Sequence, residues 1–235
     1  MAPKTGHSNR PTQAETVRYY DARAAEYDDF FAGRGQFADV RLEIEHDLGL
    51  VAPMVRDFGA GRVLDVACGT SFFSACYAED ARSVVGVDLS PLMLSESRTR
   101  HRSLRARASL VQAEGLALPF APYTFDRCFV GFFLSHLDDE DILALLRHLK
   151  PVLKATGQLA IVDSAWTEFR KRQGRERTSV QTRRLNGGGE FSVFKRYFTP
   201  EELAEILRRG GFSARSVAVG QVFLCAVFQP RPDIS

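Results

Sequence analysis

The sequence predicts a doubly wound α/β fold, and three observations carry that prediction. Residues 63–71, Val63-Leu64-Asp65-Val66-Ala67-Cys68-Gly69-Thr70-Ser71, join a short apolar run to a small-residue turn, and the helical stretch 72–80 follows. A glycine-anchored turn between strand and helix points backbone N–H groups and the positive helix end at a ligand that carries negative charge or lone pairs. A second apolar run, residues 83–88, ends in Asp88, about twenty residues on, the spacing at which a doubly wound sheet sets a carboxylate against paired ribose hydroxyls. Residues 125–133 form a nearly unbroken apolar run, as expected of a central parallel strand buried on both faces.

The elements before the first strand are helical. From Thr12, apolar and aromatic residues recur at helical spacing through Val17, Tyr20, Ala24, Tyr27 and Phe31 until Gly33 and Gly35, and a second helix is expected over Phe37 to Phe58. Residues 1–11 lack periodicity and are expected to fray. Residues 1–58 are thus a tail and two lid helices, and 59–235 the nucleotide-binding core. After Asp88, Ser90 caps a helix with Pro91 at its first position. Strand three is expected over Ala108 to Ala113, with Glu114-Gly115 just past its end. Phe125 to Phe133 is strand four, Asp138 and Asp139 open the helix Glu140 to Lys150, Pro151 to Gly157 turns back, and Gln158 to Asp163 is strand five.

Residues 164–198 interrupt the rhythm. They hold an arginine-rich segment, the turn Asn186-Gly187-Gly188-Gly189 and an alternating run, Phe191 to Phe198, that fits a hairpin arm. Thr199-Pro200-Glu201-Glu202 starts a helix with a capping box, and Gly210-Gly211 stops it. Ser213 to Val219 and Val222 to Phe228 fit a closing antiparallel hairpin.

At 235 residues with 45% hydrophobic content the chain can bury a substantial core. No apolar stretch approaches the ~20 residues of a membrane span, and Lys4 and Arg10 without an apolar block do not make a signal peptide, so a cytoplasmic location is expected. Cys68, Cys76, Cys128 and Cys225 have no paired spacing, which suggests neither a disulfide framework nor a metal site. Net charge is only +2; the arginine-rich runs at 98–107 and 170–184 lack interleaved aromatics and read as solvated faces, so no nucleic-acid partner is expected. A monomer or homodimer is expected.

The motifs Asp65-x-Ala67-x-Gly69-Thr70, Asp88-Leu89-Ser90-Pro91-x-Met93, and Glu114-Gly115 before Leu118-Pro119-Phe120 resemble, in order, those of class I S-adenosylmethionine (SAM) dependent methyltransferases. The resemblance spans roughly residues 15 to 228. Ala67 and Ser71 depart from it, since the fullest form of the motif has glycine at both. It implies a Rossmann-like, mostly parallel seven-stranded sheet ordered 3-2-1-4-5-7-6 with the last strand antiparallel. SAM is the implied cofactor and S-adenosylhomocysteine (SAH) its product. Asp65 would order the turn, stay ionised and hold the methionine amino group, with Ala67 and Gly69 forming the loop. Asp88 would accept the ribose hydroxyls beside Leu89. Met93 would pack on adenine, Glu114 would accept from its exocyclic amine, and the Gly115 N–H would meet a ring nitrogen. The stretch Tyr19 to Asp28 is similar to the N-terminal helix of small-molecule methyltransferases, which places Tyr20 and Tyr27 over the cofactor and Tyr27 against the acceptor.

Rival enzyme classes fit less well. A dehydrogenase fingerprint needs glycine at 67, 69 and 72, where the chain has Ala67, Gly69 and Phe72. Nucleobase amino-methyltransferases carry an Asn/Asp-Pro-Pro-aromatic tetrapeptide after strand four, where this chain has Gly131-Phe132-Phe133-Leu134. His136, beyond the carboxyl end of strand four, is the candidate catalytic residue. Arg183 and Lys195, brought together by the expected hairpin, would bind an anionic acceptor. The expectation is methyl transfer to a small molecule at oxygen; the alternatives are a small-molecule N-methyltransferase and a SAM-binding regulatory protein without catalysis.

Overall fold

A computed structural model describes residues 10–232. Helix α1 (Gln13–Arg23) passes into a 3-10 segment (Ala24–Asp29), and a second 3-10 segment (Gly35–Val40) leads into α2 (Arg41–Phe58). The core follows as β1 (Gly61–Val66), α3 (Ser74–Tyr77), β2 (Ala81–Asp88), α4 (Pro91–Ser103), β3 (Ala108–Gln112), β4 (Phe125–Gly131), α5 (Asp139–Val152) and β5 (Leu153–Ser164). Next come α6 (Glu168–Arg172), β6 (Thr178–Arg184), β7 (Glu190–Arg196), α7 (Pro200–Arg209), β8 (Phe212–Val219) and β9 (Phe223–Pro230).

Seven strands form one sheet in the order β3-β2-β1-β4-β5-β9-β8, and β6-β7 is a separate ribbon. Once that ribbon is set aside, the order is the expected 3-2-1-4-5-7-6. The pairs β1–β2, β1–β4, β2–β3 and β4–β5 are parallel, and β9 pairs β5 and β8 antiparallel. Alternation along each strand makes three layers. Leu64 and Val66 face a core with Leu145 and Leu149 of α5 and Ile206 and Leu207 of α7. Val63, Phe129 and Ala160 face the other, with Ile44, Val51 and Val55 of α2 and Tyr77 of α3.

One buried acid fastens the N-terminal helices to this sheet. The Asp47 carboxylate accepts backbone N–H bonds from Gln221 at 3.0 Å, Val222 at 2.7 Å and Phe223 at 2.9 Å. A Cβ at Gly220 would lie 2.1 Å from that carboxylate, so only glycine lets the β8–β9 turn approach so closely.

Several local expectations change. The helix expected over 72–80 is the short α3, and the helix expected from Thr12 tightens to 3-10 winding after Arg23. Strand five begins at Leu153 because Leu153 already pairs with Phe125, which draws the expected turn at 151–157 into the sheet. The fraying expected for residues 1–11 lies outside the described residues up to residue 9. Arg10 is tied down: it pairs with Asp138 and Asp141 and stacks 4.1 Å from the Phe194 ring centroid.

Candidate active site

The loop after β1 is built on left-handed backbone. Ala67, Gly69 and Ser71 have φ of 53°, 53° and 56°, which accounts for the glycines at 67 and 71 in the fullest motif. Ser71 is tied to Ser97 at 2.6 Å, whereas no hydrogen bond of a side chain secures Ala67. We predict that Ala67→Gly stabilises the fold by about 1 kcal/mol, the cost of an L side chain in that region. Urea unfolding measures it, and a destabilised variant would show that the alanine methyl packs productively in the loop.

Asp88, at the end of β2, organises this loop. Its Oδ2 accepts from the Gly69 N–H and its Oδ1 from the Ser90 N–H, both at 2.8 Å. Burial raises its carboxyl and those backbone bonds pull it back down. Ser90 caps α4 by accepting from the Met93 N–H at 3.1 Å, and its hydroxyl donates to Asp21 at 2.5 Å.

A cavity of about 430 Å³ lies against this loop. Tyr20, Tyr27, Ala67, Gly69, Asp88, Leu89, Met93, Glu114, Gly115 and His136 all line it, together with Phe132 and Leu137. The position of a Cβ on Gly69 would sit 3.9 Å from Tyr27 and 4.0 Å from Met93, so the loop turns its bare backbone to the cavity. Glu114 Oε1 accepts from the Gln13 amide at 2.7 Å. An elongated ligand with a diol at one end and an amine-bearing aromatic ring at the other fits this set: carboxylates at Asp88 and Glu114, apolar walls between.

Asp65 differs from expectation. It lies 2% exposed beneath the loop and does not line the large cavity. Its carboxylate accepts from the Tyr77 hydroxyl at 2.5 Å, and burial pushes it up to about 7. Burial outweighs the single hydrogen bond, so the ionised form expected here is held less firmly than in an exposed carboxylate.

A second cavity, of about 200 Å³, adjoins the first; Tyr20, Tyr27, Phe132 and His136 line both. Phe132 holds φ of 54° there, strain of the kind that collects at functional sites. Arg23, Arg170, Arg175, Arg183 and Lys195 also line the second cavity. In the β6–β7 ribbon Lys195 pairs with Ser179 and Arg183 with Phe191, so the two are not cross-strand neighbours. Both nevertheless project from the same face, since pairing preserves alternation.

Lys195 is 7% exposed. Its Nζ donates to the Ser135 hydroxyl at 2.6 Å and lies 4.0 Å from Asp163. Burial drives the amine down to about 7 despite Asp163. His136 Nδ1 meets the Phe194 carbonyl at 2.8 Å, so it donates its proton there and Nε2 keeps the lone pair. Burial and then the charge of Lys195 hold this ring well below the ordinary histidine range, with Arg183 and Arg23 adding to the effect. The imidazole is neutral.

Arg23, Arg170, Arg175, Ser135 and Asp163 escaped the sequence reading. Arg23 carried a signal, three residues after Tyr20 and four before Tyr27, hence on their face. Arg170 lay in a run read as solvated.

Among the described residues no group of three or more His, Cys, Asp or Glu side chains could hold a metal, and no helix is long and apolar enough to cross a membrane.

Residues 63–157 match the family described as a methyltransferase domain. Over 107 residues the chain is 35% identical to demethylmenaquinone methyltransferase of Listeria welshimeri, covering 44% of each protein. It is 36% identical over 107 residues to ubiquinone/menaquinone biosynthesis C-methyltransferase UbiE of Shewanella oneidensis, covering 43% of this chain and 42% of that one. The match thus spans less than half the length of these curated relatives. Among solved structures, DhpI in complex with SAH superposes with a TM-score of 0.74 at 24% identity, covering 93% of this chain and 97% of that one. The DhpI complex with SAM and HEP gives 0.72 at 25%, covering 95% and 100%. The ordered motifs, the sheet order and these likenesses together give the chain the fold of the class I SAM-dependent methyltransferases, with residues 63–157 matching a methyltransferase domain.

Proposed function

We propose that this chain transfers the methyl group of SAM to an oxygen of a small anionic metabolite. The observation that carries the reading is the convergence of Lys195, Arg183 and Arg23 on a cavity that shares His136, Tyr20 and Tyr27 with the cofactor cavity. These cations lie outside residues 63–157, the segment the family match describes, so the relatives' acceptors do not transfer to this chain.

SAM bound in the larger cavity supplies an electrophilic methyl on a sulfonium. The acceptor oxygen contributes the electron pair of the new C–O bond, and the pair of the broken C–S bond stays on sulfur. An oxyanion has no proton to lose, so no general base is required. Catalysis then rests on alignment. Arg183 supplies a planar fork and Lys195 a point charge to hold the anion. Neutral His136, fixed through Nδ1, offers Nε2 to orient the acceptor. A protonated amine would meet the same cations and be repelled, which favours oxygen over nitrogen.

The test is transfer of labelled methyl from SAM into a metabolite extract, with products separated by anion exchange. The labelled product should elute earlier than its acceptor, because esterifying an oxyanion removes one negative charge. Label on a product whose unmethylated acceptor is itself neutral or cationic would overturn the acceptor class. The absence of label in any fraction would favour the regulatory reading.

Residues 10–33 act in this reading as the lid. Asp21 accepts from Ser90, and Asp28 binds both Arg100 and the Thr70 hydroxyl, the latter at 2.7 Å. These bonds tie the segment to α4 and the loop, over the cofactor cavity. Closing it excludes water from the sulfonium. We predict that amide exchange across residues 12–33 slows when SAH is added; equal exchange with and without SAH would make the segment a static brace.

A further inference from the structure

The charges around the smaller cavity do not balance. Arg23 donates to the Tyr19 hydroxyl, Arg183 to the Gln181 side-chain oxygen at 2.7 Å, and Arg170 to the Gln173 side-chain oxygen at 3.3 Å and the Val222 carbonyl at 3.5 Å. None of these partners is charged. Asp163 answers Lys195, and Asp39 is the only carboxylate among the described lining residues. Asp47, whose field reaches Arg170, is already committed to three backbone N–H groups. A single acceptor oxyanion beside Lys195 and Arg183 leaves cations over.

Those left over sit together. Helix α6 ends at Arg172, Gly174 turns the chain with φ of 67°, and the Arg175 N–H bonds the Arg170 carbonyl at 3.1 Å. The turn therefore sets Arg175 back beside Arg170. The charges that reach His136 most strongly are those of Lys195, Arg183 and Arg23. Arg170 instead has Arg175 among its nearest charges and stacks 5.3 Å from the Tyr197 ring centroid. Arg170 also bears on Lys195, and the two approach the same Tyr197 ring at 5.3 and 5.8 Å, so the arginine pair adjoins the Lys195 group rather than His136 itself.

Arg170 is 7% exposed, and its Nε has no hydrogen-bond partner. A buried guanidinium donor left unsatisfied is costly, and such groups in native proteins call for an explanation. Nε itself is closed off, so an oxyanion between Arg170 and Arg175 would meet the terminal guanidinium nitrogens, where a carboxylate or phosphate makes charge-assisted bonds.

We propose that Arg170 and Arg175 form a second oxyanion site, so that the acceptor carries two anionic groups: one offered to the methyl beside Lys195 and His136, the other held by this pair. The inference rests on the oxyanion-acceptor reading and goes beyond it by setting the acceptor's charge and making the two arginines specificity-determining residues.

Calorimetry on SAH-loaded protein tests it without a known acceptor. The probes are succinate against butyrate, and phosphoglycolate against phosphate. Each two-anion probe should bind at least tenfold more tightly than its one-anion counterpart. Arg175→Gln and Arg170→Gln should each remove that advantage while leaving the one-anion affinities within twofold. Arg175 is exposed, so its variant should fold even if that of buried Arg170 does not. A one-anion probe that binds as well as its two-anion partner, or an advantage that survives in Arg175→Gln, would overturn the second site alone. If SAH binds and none of the four probes does, the oxyanion-acceptor reading falls and this inference with it.

Discussion

Asp88→Ala should weaken SAM binding about a hundredfold, or ~3 kcal/mol, the largest single-residue effect expected on the cofactor side. Two losses combine. In the proposed reading the carboxylate would accept the ribose hydroxyls, a charge-assisted contact of the strong kind. It also receives the Gly69 and Ser90 N–H bonds at 2.8 Å, so its removal loosens the left-handed loop and the first turn of α4. Asp88→Asn separates the two. The amide keeps one oxygen for a backbone N–H but loses the second acceptor and the charge, and should fall between wild type and alanine. Calorimetry with SAM and SAH reads the affinity, and urea unfolding of the ligand-free variants reads the loop. Unchanged affinity in Asp88→Ala would remove this acid from the cofactor site.

What could be read from the sequence divides along a physical line. The core was legible because parallel strands buried on both faces write themselves as apolar runs, and because Ser90-Pro91 and Thr199-Pro200 signal helix starts by local chemistry. The cofactor loop was legible for a similar reason: its backbone demands small residues. Even the departures at Ala67 and Ser71 marked places where φ is positive.

The acceptor side was far less so. Arg170 to Arg184 looks like a solvated run, and in strand β6 exposure does alternate along it. What buries Arg170 is Tyr197 and the Val222 carbonyl, both distant in sequence. Lys195 is buried because β7 packs beside the Leu134–His136 turn, where Ser135 receives its amine. Tertiary packing of this kind leaves no local periodicity. The tyrosines fall between the cases. Tyr20 and Tyr27 were expected on one helical face, and although the winding tightens to 3-10 after Arg23, their ring centroids remain 6.3 Å apart.

Lys195→Met should lower the acceptor kcat/KM at least tenfold while leaving SAM affinity within twofold, and it should change the shape of the pH profile. The amine has been driven down from its ordinary 10.5 to about 7 by burial. Only its protonated form holds an oxyanion, so wild-type kcat/KM should fall as pH rises through about 7, the free-enzyme value that this ratio reports. A general base at His136 would give the opposite limb, activity rising with pH through a value well below 6.5. In Lys195→Met the falling limb should vanish. Stability should move the other way. For an amine whose folded pKa is depressed, the native state gains stability above the ordinary lysine range and loses it as pH falls through about 7. At pH 6.5 the wild-type protein therefore carries a buried charge that methionine lacks. Asp163, left without the amine, keeps the Ser135 and Ser164 N–H bonds at 3.0 and 2.7 Å. Lys195→Met should accordingly be more stable than wild type at pH 6.5, by about 1 kcal/mol or more, and the gap should narrow toward pH 9. A variant that loses stability at pH 6.5 and keeps the wild-type pH profile would make Lys195 a structural partner of Asp163, with no part in holding the acceptor.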